Sequence, residues 1–148
     1  MQKRILDVDL KNIRIGIKCL KGNIRYVAVW ETPHYEFVKS YINNSPENEA
    51  CGYKSYNHYN EIAKHPTTDN RFKMIADSIF TEGYVHERGL IQVTRSIRRP
   101  MPWNRFDVTD GAHRVAILSA IGLEKIRVEF KMETDNLFKM FINKIRAL

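Results

Sequence analysis

Apolar and polar side chains alternate in three segments near the start of the chain. These segments are residues 4–10, 12–19 and 24–30. The middle one places Ile13, Ile15 and Ile17 on one face, and a period of two is typical of a strand that buries one face. Residues 21–23, Lys-Gly-Asn, suit a tight turn between the second and third segments. The pattern therefore predicts a strand followed by a β-hairpin.

A helix is predicted after the hairpin, because Pro33 follows Thr32 and proline is favoured at the first position of a helix. Its predicted buried face consists of Tyr35, Val38, Tyr41 and Ile42. The polar residues 43–50 predict a loop. Tyrosines then recur at three-residue spacing and indicate a second helix over residues 51–64. These tyrosines are Tyr53, Tyr56 and Tyr59.

A third helix is predicted over residues 70–82, with Gly83 as its natural end. Its apolar side chains at helical spacing are Phe72, Ile75, Ala76 and Ile79. Residues 90–94 predict a short strand. Near the end of the sequence, residues 135–147 predict a closing helix, because five apolar side chains share one face and Thr134 or Asp135 can cap it. The five are Leu137, Phe138, Phe141, Ile142 and Ile145.

The clearest pattern lies between residues 105 and 131. Phe106 and Val108 alternate on a strand, and Asp110-Gly111 turns the chain. A helix over residues 112–121 follows and ends at Gly122. Its predicted buried side chains are Val115, Leu118 and Ile121, and the next strand alternates at Ile126, Val128 and Phe130. The segment is a compact strand–helix–strand unit.

Length and composition limit the class of protein. A chain of 148 residues, 43% of them hydrophobic, suits one domain with an insertion rather than a disordered segment. No apolar run approaches the roughly 20 residues that cross a bilayer, and the amino end does not resemble a signal peptide, so a cytoplasmic protein is expected. The two cysteines, Cys19 and Cys51, have no zinc-site spacing and are expected to be ordinary thiols.

The formal net charge of +7 favours a negatively charged partner such as a nucleotide, a nucleic acid or an acidic carrier. The positive charges are spread along the chain, and the closest group is interrupted by prolines and Trp103. This group consists of Arg95, Arg98, Arg99 and Arg105. Such a loop can contact phosphates, or it can simply be solvated.

The residues Asp110-Gly111-Ala112-His113-Arg114 lie where a strand is expected to end and a helix to begin. The first turn of a helix has backbone N–H groups without internal partners, and it carries the positive end of the helix dipole. His113 and Arg114 add side-chain donors at the same place. The arrangement predicts a phosphate site. The alternative is that Asp110 merely caps the helix and that His113 and Arg114 are ordinary polar residues of its surface.

Residues 105–130 resemble the core signature of ParB-like domains, in which a strand leads into Asp-Gly-x-His-Arg, an Ala/Leu-rich helix, Gly-Leu and another strand. Residues 72–93 resemble the family's preceding helix and strand. The chain is thus identified as a member of the ParB-N/sulfiredoxin superfamily. The resemblance implies an α+β fold, a small mixed sheet with packed helices. The domain would have its core at about 1–30 and 70–131, a helical insertion at about 31–69 and a closing helix at 135–147.

The resemblance also implies that nucleotide phosphates bind at Thr109, Gly111, Ala112, His113 and Arg114. Departures from the family pattern discriminate among its activities. Sulfiredoxins have a catalytic cysteine where this chain has Ala112, so sulfinyl chemistry is not expected. Only 17 residues follow residue 131, too few for the helix-turn-helix domain of ParB, and the Gly-Glu-Arg-Arg form is missing. A DNA clamp is therefore disfavoured.

The activity that remains is that of a kinase-like phosphotransferase, similar to the family's free-serine kinases, which uses ATP, or ADP or CTP, with Mg²⁺. Such transfer requires a phosphate site, charge neutralisation and a carboxylate that orients the attacking hydroxyl. Glu31 and Glu36 follow the hairpin, where the base of those serine kinases lies, and are the first candidates for the carboxylate. Asp110 is the next candidate and the expected metal ligand. His113 is a further catalytic candidate.

Residues 31–59 are similar to an insertion in ParB-like proteins that accompany bacterial surface-polysaccharide synthesis. The expected acceptor is therefore a hydroxylated small molecule or a glycan precursor, and the insertion is expected to form its pocket. The substrate-binding candidates are His34, Tyr35, Tyr56, Arg98 and Arg99. The alternative for the tyrosines is that they pack a helix onto the core.

Two other functions remain open from the sequence. One is a ParB-like, nucleic-acid-associated protein that binds CTP or acts as a nuclease, which the basic charge favours. The other is a non-catalytic partner of an enzyme that responds to a nucleotide.

Overall fold

The computed structural model describes residues 3–44, 51–64, 67–84, 89–95, 105–131 and 145. Its strands are β1 (Lys3–Asp9), β2 (Ile13–Lys18), β3 (Ile24–Ala28), β4 (Ile91–Arg95), β5 (Phe106–Asp110) and β6 (Lys125–Lys131). Its helices are α1 (Pro33–Ile42), α2 (Cys51–Ala63), α3 (Asp69–Glu82) and α4 (Ala112–Ala120). The predicted closing helix at 135–147 and most of the loop at 43–50 lie outside the described residues. The expected α+β class is confirmed.

The six strands form one mixed sheet in the order β1-β6-β4-β5-β2-β3. The antiparallel pairs are β1 with β6, β4 with β5, and the predicted hairpin of β2 and β3, where Gly16 lies opposite Tyr26. Two pairs are parallel, β2 with β5 and β4 with β6. Alternation along the strands buries one face, as Ile13 and Ile15 show on β2 and as the fully buried Val128 shows on β6.

The parallel pairing of β2 with β5 is short. It joins Ile13 to Phe106 and Arg14 to Asp107, and no further pair is recorded along the described strands. Beyond Arg14, β2 continues beside β3 as far as Lys18, and β5 continues beside β4 as far as Asp110. The carboxyl ends of two neighbouring parallel strands therefore separate. We call the gap between residues 15–18 of β2 and residues 108–110 of β5 the fork.

Helix α1 begins as its sequence predicts. The Thr32 hydroxyl accepts a hydrogen bond from the Tyr35 amide at 3.0 Å and donates one to the Val29 carbonyl at 2.6 Å, with Pro33 in the first helical turn. A threonine cap of this kind satisfies one of the amides that the helix leaves unpaired. Helix α3 has the same kind of cap, from Thr68 to the Arg71 amide at 3.2 Å.

The buried face of α1 differs from the predicted one. His34, Phe37 and Val38 are buried, whereas the other members of the predicted face are only partly buried. Those members are Tyr35, Tyr41 and Ile42. The difference arises because α1 packs between α2 and α4, and His34, Phe37 and Val38 share one side of the helix at three- and four-residue spacing.

One prediction for α4 was also wrong. Ile121 was expected to be buried, but it is 45% exposed, because the helix ends at Ala120 and Ile121 lies in the turn that follows. The predicted burial of Val115 and Leu118 is confirmed, and Ala116 and Ile117 are buried as well. The predicted end of α3 is confirmed: Gly83 caps the helix with a positive φ of 79°, and its amide donates a hydrogen bond to the Ile79 carbonyl at 2.8 Å.

Aromatic side chains hold the helices together. Phe72 of α3 stacks on Phe37 of α1 with ring centroids 4.7 Å apart, and Tyr56 of α2 lies 5.0 Å from Phe72. His34 and His113 complete the group, and their ring centroids are 4.8 Å apart. We call these five residues the aromatic cluster. It joins all four helices and extends to the first turn of α4, where the predicted site lies.

Candidate functional site

A cleft of about 510 Å³ lies at the fork. It is lined by Ile15, Gly16, Ile24 and Tyr26 from the hairpin, by Thr67 and Ile75 from the helical side, and by residues 108–114 from the end of β5 and the start of α4. Open α/β sheets bind their ligands outside the carboxyl ends of parallel strands, where the connections diverge. The cleft occupies such a position. All the predicted phosphate-binding residues, from Thr109 to Arg114, line it.

Helix α4 begins without a side-chain cap. Its N-cap residue is Gly111, which has φ 104° and ψ 25°, and its carbonyl accepts the Val115 amide at 3.0 Å. Asp110 is therefore not the cap, and the alternative that it serves only to cap the helix is wrong. The first-turn amides and the positive end of the helix dipole lie on the cleft wall, which suits an anion.

Gly111 is also the point of closest packing in this wall. A β-carbon placed there would lie 3.0 Å from Cγ1 of Ile91 and 3.1 Å from Nη2 of Arg114. The positive φ and the lack of space both favour glycine. The Arg114 side chain crosses directly over this bare backbone, which brings its charge next to the amides.

The Arg114 guanidinium group is held by one hydrogen bond and has one weak ion pair. Nη1 donates a hydrogen bond to the Gly89 carbonyl, and Nη2 lies 3.9 Å from Oδ2 of Asp110. The Arg114 side chain is 24% exposed and that of Asp110 is 70% exposed. The arginine is thus held in a fixed place at the cleft, while the carboxylate is open to solvent and interacts only weakly with it.

A hydrogen bond between His113 and Tyr56, both members of the aromatic cluster, fixes the tautomer of His113. Nε2 of His113 lies 2.8 Å from the Tyr56 hydroxyl, which also bonds the Thr67 carbonyl at 2.9 Å. A carbonyl can only accept, so the single hydroxyl proton of Tyr56 is directed to Thr67. His113 must then donate from Nε2.

His34 and Tyr56, which were predicted to bind substrate, are brought to His113 but are buried. The His34 ring is 3% exposed and lies 5.2 Å from that of Tyr59, and Tyr56 is fully buried. Neither lines the cleft in the described part of the chain. Both side chains lie behind His113 and position its ring. His34 is buried there because it lies on the face of α1 that packs inward. Tyr53 and Tyr56 are buried in the core, which was the alternative expectation for the tyrosines.

The two glutamates predicted as catalytic lie outside the lining of the cleft. Glu31 and Glu36 are both exposed. Glu31 lies close enough to Arg14 to influence its pKa. Burial and the positive charge of Arg105 lower the pKa of Arg14, and the negative charges of Glu31 and Asp107 offset part of this change. Arg105 and Asp107 lie where β5 begins, whereas the cleft lies where β5 ends. Glu31 therefore lies near a different part of the sheet. Of the predicted carboxylates, Asp110 lines the cleft.

The remaining predicted residues fall into two groups. Thr109 lines the cleft, and its hydroxyl donates a hydrogen bond to the Gln92 carbonyl at 3.2 Å. Tyr35 is partly buried on α1 and does not line the cleft as far as the described chain forms it. Arg98 and Arg99 lie outside the described residues. The expected acceptor pocket over residues 31–59 therefore stays a prediction.

Sequence patterns did not indicate the hairpin side of the cleft. Gly16, Ile24 and Tyr26 join residues 108–114 only because β2 pairs with β5, which lies some 90 residues further along the chain. Gly16 does not lie at a turn, and Tyr26 fits the alternation of an ordinary strand. Their position beside the start of α4 became visible only in the folded sheet.

Comparison of the chain with protein-family models, with curated proteins and with solved structures found no match. What the site does is therefore inferred from its own geometry. Among the described helices, none is both long and apolar enough to cross a membrane. Within the same residues, no three side chains of His, Cys, Asp or Glu gather as a metal site.

The Tyr56→Phe variant is expected to lower the free energy of unfolding by about 1–3 kcal/mol, because the Thr67 carbonyl and His113 Nε2 both lose a buried partner. Burial raises the pKa of Tyr56 to about 12. The stability that its protonated form provides is complete below the unfolded pKa of about 10 and is lost as the pH rises to about 12. Urea unfolding from neutral to alkaline pH measures both effects. An equal alkaline loss in the variant would contradict this assignment.

Proposed function

We propose that the protein binds a nucleotide with its phosphates at the start of α4 and transfers a phosphoryl group to a hydroxyl of a small molecule or glycan precursor. The observation that carries the proposal is the uncapped first turn of α4, which opens on a cleft of about 510 Å³ beside Arg114. That volume is in the range of small-molecule sites. The resemblance of residues 105–130 to ParB-like domains gives independent support.

In this proposal the amides of residues 112–114 and the Arg114 guanidinium bind the phosphate oxygens and neutralise their charge. His113 lines the same wall of the cleft, and its Nε2 is engaged by Tyr56. The acceptor hydroxyl oxygen attacks the terminal phosphorus, and the bond from that phosphorus to the bridging oxygen breaks. The shortened nucleotide leaves with the bond electrons, and the carboxylate of Asp110 takes the hydroxyl proton.

A divalent cation fits this site only as a partner of the nucleotide. Mg²⁺ is commonly held by one or two carboxylates together with substrate phosphates. Asp110, with a side chain that is 70% exposed at the cleft, is the protein ligand that the described lining offers. When bound, Mg²⁺ would neutralise charge on the phosphates. Asp110 then serves either as its ligand or as the proton acceptor, and the dependence of binding on Mg²⁺ separates these roles.

The net charge of +7 supports a second candidate, a ParB-like protein that binds CTP and associates with nucleic acid. It shares the phosphate site at α4 but differs in its partner. Binding of duplex DNA at low salt that weakens steeply with added salt would favour it. Absence of DNA binding at low salt would exclude it.

The Arg114→Gln variant is expected to lose most nucleotide binding. Hydrogen bonds of a charged group to a partner are worth about 1.5–3 kcal/mol, so affinity should fall by about 10- to 150-fold. The matched control is Arg127→Gln, which removes the same charge from β6, where Arg127 pairs with Asp7 at 3.2 Å. Thermal shifts with ATP, ADP and CTP, each with and without Mg²⁺, measure binding to the native protein.

The proposal requires that at least one of these nucleotides raises the melting temperature of the wild type and of Arg127→Gln, and that Arg114→Gln responds much less. Transfer is measured as release of the shortened nucleotide with L-serine, hexoses and polyol acceptors present. Binding without turnover would leave a nucleotide-responsive partner protein as the function. No binding by the wild type would refute the site.

A further inference from the structure

The cleft has two chemically different ends. One end is the start of α4, with amides and the Arg114 charge. The other end is the β2–β3 hairpin, which contributes Ile24 and the ring of Tyr26. A ligand that fills both ends needs an anionic group joined to a flat, largely apolar group. Inorganic phosphate would occupy only the first.

Tyr26 lies across the floor of the hairpin end. Gly16 is its direct partner in the register of β2 and β3. A β-carbon at Gly16 would lie 3.3 Å from two carbons of the Tyr26 ring and 2.9 Å from Cγ2 of Ile24. The ring and the Ile24 side chain therefore rest on the bare glycine backbone. The missing side chain at Gly16 leaves room for the Tyr26 ring, which provides a flat aromatic surface in the cleft.

The fork also provides a backbone edge. Along the described strands, β2 pairs with β5 only as far as Arg14, while its other side remains paired with β3 to Lys18. On the side facing the fork, the backbone N–H and C=O groups beyond Arg14 have no ladder partner from β5. Backbone groups of this kind bind polar partners, either water or the edge of a ligand.

We propose that the fork is the base subsite of the nucleotide site. The planar base stacks on Tyr26 beside Ile24, and its polar edge bonds the open edge of β2, while the phosphates extend to α4. This inference rests on the proposed nucleotide site and adds the part of the ligand that the hairpin recognises. Base stacking on aromatic side chains is favourable for every base, and the backbone edge adds the contacts that distinguish one base from another.

The test compares ATP and CTP with tripolyphosphate, which has the phosphates but no base, by titration calorimetry. The Tyr26→Ala variant is expected to bind the nucleotides about 10- to 100-fold more weakly, which is the usual effect of losing one stacking partner. Its binding of tripolyphosphate should stay at the wild-type level. Tyr26→Phe keeps the ring and should bind nucleotides as the wild type does.

Two controls keep the test decisive. Tyr26→Leu retains an apolar side chain over Gly16 without an aromatic ring, so it replaces Tyr26→Ala if that variant unfolds. Leu20→Ala changes the hairpin turn, where Leu20 is 84% exposed, and should leave all three affinities unchanged. Thermal unfolding without ligand verifies that each variant is folded.

The outcomes separate this inference from the proposed function. If Tyr26→Ala and Tyr26→Leu bind nucleotides as tightly as the wild type while Arg114→Gln does not, the base lies elsewhere and the phosphate site stands. If these variants lose tripolyphosphate and nucleotides equally, Tyr26 only supports the structure and the inference is overturned. If the wild type binds neither probe, the phosphate site itself is refuted.

Discussion

The Phe72→Ala variant is expected to lose about 3–5 kcal/mol of unfolding free energy, a large part of the stability of a small domain. Phe72 is fully buried, stacks on Phe37 at 4.7 Å and lies 4.8 Å from the ring of His113. Its removal leaves a cavity where three helices meet the start of α4. Because the His113 ring then loses one of its walls, nucleotide binding should weaken as well. Urea unfolding and calorimetry measure the two effects.

The matched control is Phe80→Ala on the same helix, where the side chain is 42% exposed. The chemical change is identical, but less buried area is lost, so the expected cost is about 1–2 kcal/mol. Similar losses for the two variants would show that the aromatic cluster does not carry the stability assigned to it. Phe72→Leu, which fills most of the space, should lie between them.

The Gly111→Ala variant is expected to destabilise the protein by about 2–5 kcal/mol. A positive φ costs an alanine about 1–2 kcal/mol, and overpacking adds about 1–3 kcal/mol. The second contribution arises because the new methyl group meets Ile91 and the Arg114 guanidinium. Displacing Arg114 also moves its charge away from the first-turn amides, so anion binding should fall more than stability alone explains.

Gly122→Ala separates the two contributions. Gly122 also has a positive φ, 96°, but a β-carbon there would meet nothing within 4 Å. It should therefore show the backbone cost alone and bind nucleotides normally. If Gly111→Ala is no more destabilising than Gly122→Ala and retains ligand affinity, the close packing of Arg114 on the glycine has no role in the site.

The strand–glycine–helix junction at the start of α4 was predictable from sequence because it is local. Asp110, Gly111 and the residues that follow form a strand–glycine–helix junction, and the chemistry of such a junction follows from backbone geometry alone. The strand and helix bounds around it were predictable for the same reason. The sequence could not decide whether Asp110 or Gly111 would be the N-cap, since both residues are common near helix starts.

The rest of the site depends on contacts between distant segments. Alternation predicted the β2–β3 hairpin, but it carries no information on which other strand lies beside β2. The sequence therefore could not predict that Tyr26 and Arg114 line the same cleft. His34 illustrates a second limit. A histidine in the first turn of a helix is expected at the surface, yet packing against three other helices buries it next to His113. Tertiary packing here overrides what the local pattern suggests.

The fork has a consequence for the lifetime of the folded chain. The walls of the cleft at the fork come from the hairpin, from Thr67 and Ile75 on the helical side and from the β5–α4 junction, so a binding site exists only when all three have assembled. An occupant therefore stabilises the native state and contributes little before folding is complete. It slows unfolding and leaves the folding rate nearly unchanged. A ligand that binds in the cleft would therefore slow proteolysis of the protein to an extent set by its occupancy.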